Sequence, residues 1–499
     1  MVTFKNCKLN FKEDIMEDNK NILKKLVCLA AILLVMLIPV SDISAQTERD
    51  WMTNDELLQK LDEIEANSSG KVQVDAAGHS KLGNPIMSAR VGTGDQVILI
   101  NGSIHGNEKS GAEAVVEILD YLGTSDSSFA QSVRDAVTIV TIPRLNVDGL
   151  EIPQRQNLYS WDEVVSDYPL LEGAEPAWYY NQNNAGFDIN RDFHADLDYE
   201  AAAEDLPGST LDFGFFLTKE SQLLRDLYVD LQNEFGVVEA FVDLHHMGTP
   251  KLNITGEEVT IAIDPPSLGP DDSTKYDDYP LDRDKSKRYA LAAARGVKEF
   301  SDKEETGVSQ YVAFQERDFP GQGRNAFALN GTATVLFEMP GQQPQFGYDQ
   351  DLVDRVENGL WGIISRMADG SIDDLNGDDF ATEIPRYWTD NTTDMRDVME
   401  RFTREGQFAN ASEARLLNNQ LAALQKYEKQ ENAEKMVKHL NGFKVLLDLQ
   451  QENGSIENEA YKRLNEDADL LLDRWELKLT GDSSQISRLH WINESHLLD

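Results

Sequence analysis

Four apolar runs along the chain end in polar residues. "QVILINGSIHG" (96–106) runs into His105, "AVTIVTIPRLNVDG" (136–149) into Asn146, "VVEAFVDLHHMG" (237–248) into His245 and His246, and "TATVLFEMPG" (332–341) into Glu338. From Trp51 to about Gly370 such β-rich runs alternate with helix-like stretches, the pattern of an α/β fold in which a mixed sheet is covered by helices. Sheets of this kind place ligands at the carboxyl ends of their strands. Four polar clusters in that position predict one site assembled from distant parts of the chain.

The pattern changes after "DGSIDDLNGDDFATEIP" (369–385), whose Asp, Gly and Pro content reads as an acidic linker over 371–393. From 394 to 476 apolar residues recur every three to four positions: Leu417, Leu421, Leu424 and Tyr427, then Met436, Leu440, Phe443 and Leu447, then Leu464, Ala468, Leu471 and Trp475. That spacing predicts a small all-α bundle, with 477–499 as a tail. At the other end, "NKNILKK", "LVCLAAILLVMLIPV" and "SDISA" have the charged, apolar and small-residue order of a secretory signal peptide over 1–45. The apolar run is too short for a spanning helix, so the mature chain is expected to be secreted and not inserted in a membrane.

Composition sharpens this in two ways. Both cysteines, Cys7 and Cys28, lie in the segment expected to be removed, so the exported protein has no disulfide or thiol chemistry. With 46 basic and 88 acidic residues the net charge is −42, a surface that repels nucleic acid and anionic envelopes, so no nucleic-acid partner is expected. The acidic stretch "DDLNGDD" puts Asp374, Asn376 and Asp378 at alternate positions. A structural calcium ion there is a further expectation, although the distal Glu of a full calcium loop is missing.

A hydrolytic zinc ion takes three protein ligands, commonly His and carboxylate, and leaves a fourth position for water. His105 and Glu108 sit three apart in a turn leaving a strand and can converge on one ion, and a histidine from the strand end at 245 or 246 can close the third side. Glu338, behind "TATVLF", is a carboxylate expected to be buried, and burial without a partner is costly unless function requires it. No Gly-x-Ser-x-Gly supports serine hydrolysis.

The pieces "GHSKLGNPI", "HGNE", "PRLNVDG", "GFDINRDF", "DLHH" and "FEMPG" occur in an order that resembles the zinc metallocarboxypeptidases of the carboxypeptidase A type, over about 75 to 345. The resemblance implies an eight-stranded mixed sheet in a catalytic domain spanning 46–370 and one Zn2+ held by His105, Glu108 and His245. It implies Glu338 as the general base that takes a proton from the attacking water. It implies Asn190 and Arg191 as the pair holding the substrate's terminal carboxylate, and Asp188 as the carboxylate that orients His105. One departure is that no arginine stands shortly before "GFDINRDF", where many relatives carry one for the oxyanion; Arg155 can serve from the earlier loop, and Arg324 can contact the substrate carboxylate. The tyrosine that closes over substrate in some relatives has no clear match: Phe327 occupies a plausible stretch and Tyr311 lies upstream, and neither is assigned a catalytic role.

Within the bundle, "EKMVKHLNGFKVLLDLQ" and "ENEAYKRLNEDADLLLDRW" resemble the FIMAH domain of secreted bacterial proteins, which implies no chemistry and leaves its partner unknown. The expected function is a secreted metallocarboxypeptidase acting on peptide or protein substrates. Alternatives are a zinc endopeptidase or amidase acting on envelope peptides or acyl-amino acids and, outside enzymes, a peptide-binding protein on a decayed peptidase fold.

Overall fold

The computed structural model describes residues 50–311, 317–341 and 347–480. The expected signal peptide, both cysteines and nearly all of the tail lie outside them. Among the described residues no helix is long and apolar enough to cross a membrane.

An eight-stranded mixed sheet is built from strands between Val72 and Pro340. Its strands are β1 (Val72–His79), β2 (Pro85–Val91), β3 (Gln96–Gly102), β4 (Val137–Ile142), β7 (Ala240–Met247), β8 (Ile261–Asp264), β9 (Val308–Gln310) and β10 (Ala333–Pro340), in the order β1-β2-β4-β3-β7-β10-β8-β9. A separate two-stranded ribbon pairs β5 (Tyr180–Asn181) with β6 (Gly186–Phe187). β4, β3, β7 and β10 are adjacent and parallel, so all four polar clusters read from the sequence fall at one sheet edge.

These central strands are buried on both faces, which parallel strands require and which explains their near-continuous apolar runs. Alternation divides them between two cores. Ile98, Ile100, Val242, Leu244, Val335 and Phe337 pack with the helices Ser110–Thr124, Arg283–Glu299 and Gln350–Asp369, while Val97, Leu99 and Phe241 pack with the helix Lys219–Phe235. Asp243 and His245 share the Phe241 face by the same parity, and Glu338, in register with His245, shares it too.

The bundle is four helices, Thr392–Arg404, Ala411–Glu428, Ala433–Glu452 and Asn458–Thr480. Its core contains every residue of the three predicted stripes except Tyr427, which packs half-buried against it. The acidic segment before it is folded onto the sheet domain. Asp373 pairs with Arg288 (2.9 Å) and Glu383 with Arg295 (2.7 Å), both arginines lying on the helix Arg283–Glu299. Asn376 donates to Asp379 Oδ1 (3.0 Å) and accepts from the Asp378 amide (3.4 Å), a turn cap and not a ligand cage. The calcium expectation finds no support: among the described residues the only convergent metal-type cluster is elsewhere.

Candidate active site

β3 ends at Gly102 and the chain turns through Ser103, held at φ 50°. Gly106 is demanded by close approach, since a Cβ there would stand 2.1 Å from the Gly149 carbonyl carbon. The turn buries His105 and Glu108 and aims both at the end of β7. His105 Nδ1 lies 2.9 Å from Glu108 Oε1, His245 Nδ1 lies 2.9 Å from Glu108 Oε2, and the two Nδ1 atoms are 3.2 Å apart.

The outer nitrogens face carboxylates. His105 Nε2 is 3.1 Å from Asp188 Oδ1, and His245 Nε2 is 2.9 Å from Asp243 Oδ2. A neutral imidazole carries one proton, and a carboxylate at Nε2 keeps it there. Two nitrogen lone pairs and the Glu108 carboxylate then converge with no proton among them, an arrangement that calls for a cation. Burial pulls the His245 pKa down, but Asp243 and Glu108 more than offset it and hold it well above the usual range. Burial likewise pushes Glu108 up, and the two imidazoles overcome it and bring its pKa below the usual carboxylate range. The three residues, all buried, offer ligand atoms within 4.8 Å of one another. This is the donor set of a zinc site with a position left for water, and the residues fit that ion.

The remaining sequence-predicted residues line one cavity of about 110 Å³ at this edge: Arg155, Asn190, Arg191, Arg324 and Glu338. Glu338 is 6 % exposed and its Oε2 has no hydrogen-bond partner among the described residues. Burial pushes its carboxyl up to about 8, with Glu108 adding and His245, Arg155 and Arg324 opposing. A cation at the three ligands would draw that value down. Arg155 bonds Asp188 Oδ2 through Nε (3.0 Å) and sends another nitrogen to 3.9 Å from Glu108. Asp188 is pushed up by burial, but Arg155, Arg191 and His105 take it well below the usual range, so it stays ionised behind His105. Asn190 accepts from Gly323 N (3.0 Å), while its Nδ2 lies 3.1 Å from His245 Nε2. Arg324 is anchored to the wall by Pro265 O and Ser267 Oγ (2.7 Å).

His246 faces the other side of β7, where its Nε2 meets the Ser110 amide (3.1 Å) and hydroxyl (2.8 Å). Phe327 is a core residue stacked on Tyr228, whereas Tyr311 lines the cavity. Sequence reasoning missed Asp243 and Arg317. The signal for Asp243 was present, because it stands two residues before His245 on a strand and therefore on the same face. Arg317, over the Phe319 ring at 4.9 Å, had no comparable signal.

Behind Asp188, Asn157 bonds Phe187 through backbone and side chain and donates to Glu220 Oε2 (3.0 Å). Burial pushes Glu220 up to about 7, against an unfolded value near 4.5, with Asp148 and Asp192 adding to it. The folded protein therefore keeps a proton that the unfolded chain releases, and stability falls as pH rises from about 4.5 through about 7. Glu220→Gln should be as stable as wild type near pH 4.5 and more stable at pH 8 by roughly 2 kcal/mol, at about 1.4 kcal/mol per unit and allowing for relaxation. Denaturant unfolding at the two pH values checks this, and an equal difference at both would refute it.

No curated protein matches the chain. Among solved structures it is similar to carboxypeptidase A from Helicoverpa armigera (16% identity, 72% of this chain and 87% of that one, TM-score 0.45). It is also similar to bovine thrombin-activatable fibrinolysis inhibitor in complex with tick carboxypeptidase inhibitor (13%, 65% and 98%, 0.44) and to a metallo-carboxypeptidase from Burkholderia cenocepacia (14%, 63% and 69%, 0.40). Residues 392–473 match the FIMAH domain. Residues 57–349, more than half of the sequence and all of the cavity just described, match the zinc carboxypeptidase family model, and the chain belongs to that family of peptidases.

Proposed function

We propose that this peptidase is an exported exopeptidase that removes single residues from the carboxyl ends of peptides, with Glu338 as its general base. The observation that supports the reading best is one cavity holding the His105–Glu108–His245 cluster, a buried carboxylate with an unpartnered oxygen, and four arginines, Arg155, Arg191, Arg317 and Arg324. Bound zinc supplies Lewis acidity, polarising a carbonyl and making water more acidic. Glu338 then accepts the proton of the attacking water and returns it to the leaving amine. Arg155 stands beside Glu108, where it can meet negative charge developing on the carbonyl oxygen.

The arginines fix the substrate's end. Arg191 is 5 % exposed, close to the Phe319 ring, and its planar fork suits a carboxylate through two parallel bonds. The acidic stretch 257–287 contributes only Ser267 to the lining and no carboxylate. A neutral terminus cannot accept that pair of charge-assisted bonds from the guanidinium. Amidated peptides should therefore be cleaved at least about 10²-fold more slowly than the free acids, since bonds to charged groups are worth roughly 1.5–3 kcal/mol each. Arg191→Ala should close most of that gap by harming the free acids alone. Assaying matched peptides with both proteins tests the reading; equal cleavage by wild type, or release of internal fragments, would leave a zinc endopeptidase in its place.

A further inference from the structure

β9 is an edge strand of the sheet, and its outer side is met by the chain just before the bundle. Gln310 N donates to Pro385 O (2.9 Å), Ser309 Oγ to the same oxygen (3.1 Å), and Gln310 Nε2 to Ile384 O (2.6 Å). Two residues further on, Tyr387 Oη donates to the carbonyl of Tyr311 (3.1 Å), and Tyr311 lines the cavity. Both tyrosines pack on Met247, Leu252, Val259 and Ala262. Met247 is itself a lining residue, two positions beyond the ligand His245.

The bundle holds this strap from the other side. Arg463, on the helix Asn458–Thr480, donates to Tyr387 O (2.8 Å) and to Asn253 Oδ1, and its Nε is fixed by Asp467 (2.9 Å). Asn253 N in turn donates to Arg386 O (3.1 Å). A guanidinium of the C-terminal domain is thus one residue away from a wall of the active-site cavity.

We propose that Tyr387 is a positioning residue: the strap at 384–387, pinned by Arg463, sets the Tyr311 wall and with it which terminal side chains the cavity accepts. The inference rests on the carboxypeptidase reading. Covering an edge strand needs only backbone pairing. A tyrosine hydroxyl spent on the carbonyl of a lining residue goes further, because it fixes where that residue's side chain starts. Sites tolerate little looseness in such supports, since the supporting contacts hold the geometry on which binding depends.

The test uses the full chain as wild type, Tyr387→Phe, Tyr387→Ala and Arg463→Ala, with N-blocked dipeptides ending in glycine, phenylalanine, glutamate or lysine. Zinc content should be unchanged in all four. For the bulky ends KM should rise about three- to tenfold with kcat within about twofold, a loss of binding and not of chemistry, while the glycine substrate is indifferent. Hydrogen exchange at the Gln310 amide should be faster in Tyr387→Ala. Equal changes for glycine and bulky ends, or no change in KM, would overturn the proposal. If the wild type releases no residue from any free-acid peptide, the functional reading falls; the exchange measurement still decides the strap, and an unaltered Gln310 amide would refute it.

Discussion

Glu338→Gln should retain its zinc and lose about 10²–10⁴ of turnover, the usual worth of a general base. The substitution preserves size and one carbonyl-type oxygen, and the ligand atoms of His105, Glu108 and His245 do not involve this side chain. What it removes is the ability to take a proton. The Glu338 carboxyl sits 6 % exposed at the end of β10, and one of its oxygens has no hydrogen-bond partner among the described residues. Burying such a group costs free energy that a neutral amide would largely avoid. The variant should therefore be no less stable than wild type, and a gain in thermal stability alongside the loss of rate would show that the chain carries this carboxylate for chemistry. Metal analysis, thermal unfolding and kcat on one free-acid peptide check the three parts. A zinc-loaded Glu338→Gln enzyme with normal kcat would remove Glu338 from the mechanism.

How far the site could be read from the sequence depended on strand ends. His105, Glu108, His245 and Glu338 were legible because each follows an apolar run, and parallel neighbours bring such ends together. The choice of His245 over His246 followed a resemblance, but its physical cause is parity: alternate residues of β7 face opposite cores, and only one histidine can share a face with Glu338. The bundle's stripes were equally plain, since helical period marks burial directly. The segment 371–393 was opaque. Its Asp and Gly content suits a spacer, yet its carboxylates pair with Arg288 and Arg295, contacts between residues more than eighty apart that no local pattern carries. Tyr387 was opaque for the same reason, as was Arg317, whose place at the cavity is set by how an irregular loop packs.

The largest effect on the metal should come from His245→Ala, with Asp243→Ala intermediate and His246→Ala slight. His245 supplies one of three inward donor atoms, so its loss leaves two ligands and should weaken zinc binding by far more than the roughly 10–100-fold that orienting partners contribute. Asp243 is such a partner. It stands 2.9 Å from His245 Nε2 and receives Asn101 Nδ2 (2.9 Å), which holds the carboxylate in place. Without it the imidazole loses what keeps its proton on the outer nitrogen, and the lone pair no longer points reliably inward. Asp243→Ala should therefore bind zinc about 10–100-fold more weakly. His246 turns to Ser110 on the opposite face of β7 and also meets the Gly341 carbonyl, so its alanine variant loses three hydrogen bonds and some stability but keeps its zinc. Competition with a chelator of known affinity ranks the three proteins, and thermal unfolding with and without the chelator separates lost metal from a weakened fold, because only a protein that binds zinc is destabilised by its removal. Zinc retained by His245→Ala and lost from His246→Ala would reverse the ligand assignment, and with it the face of β7 on which the reaction is placed.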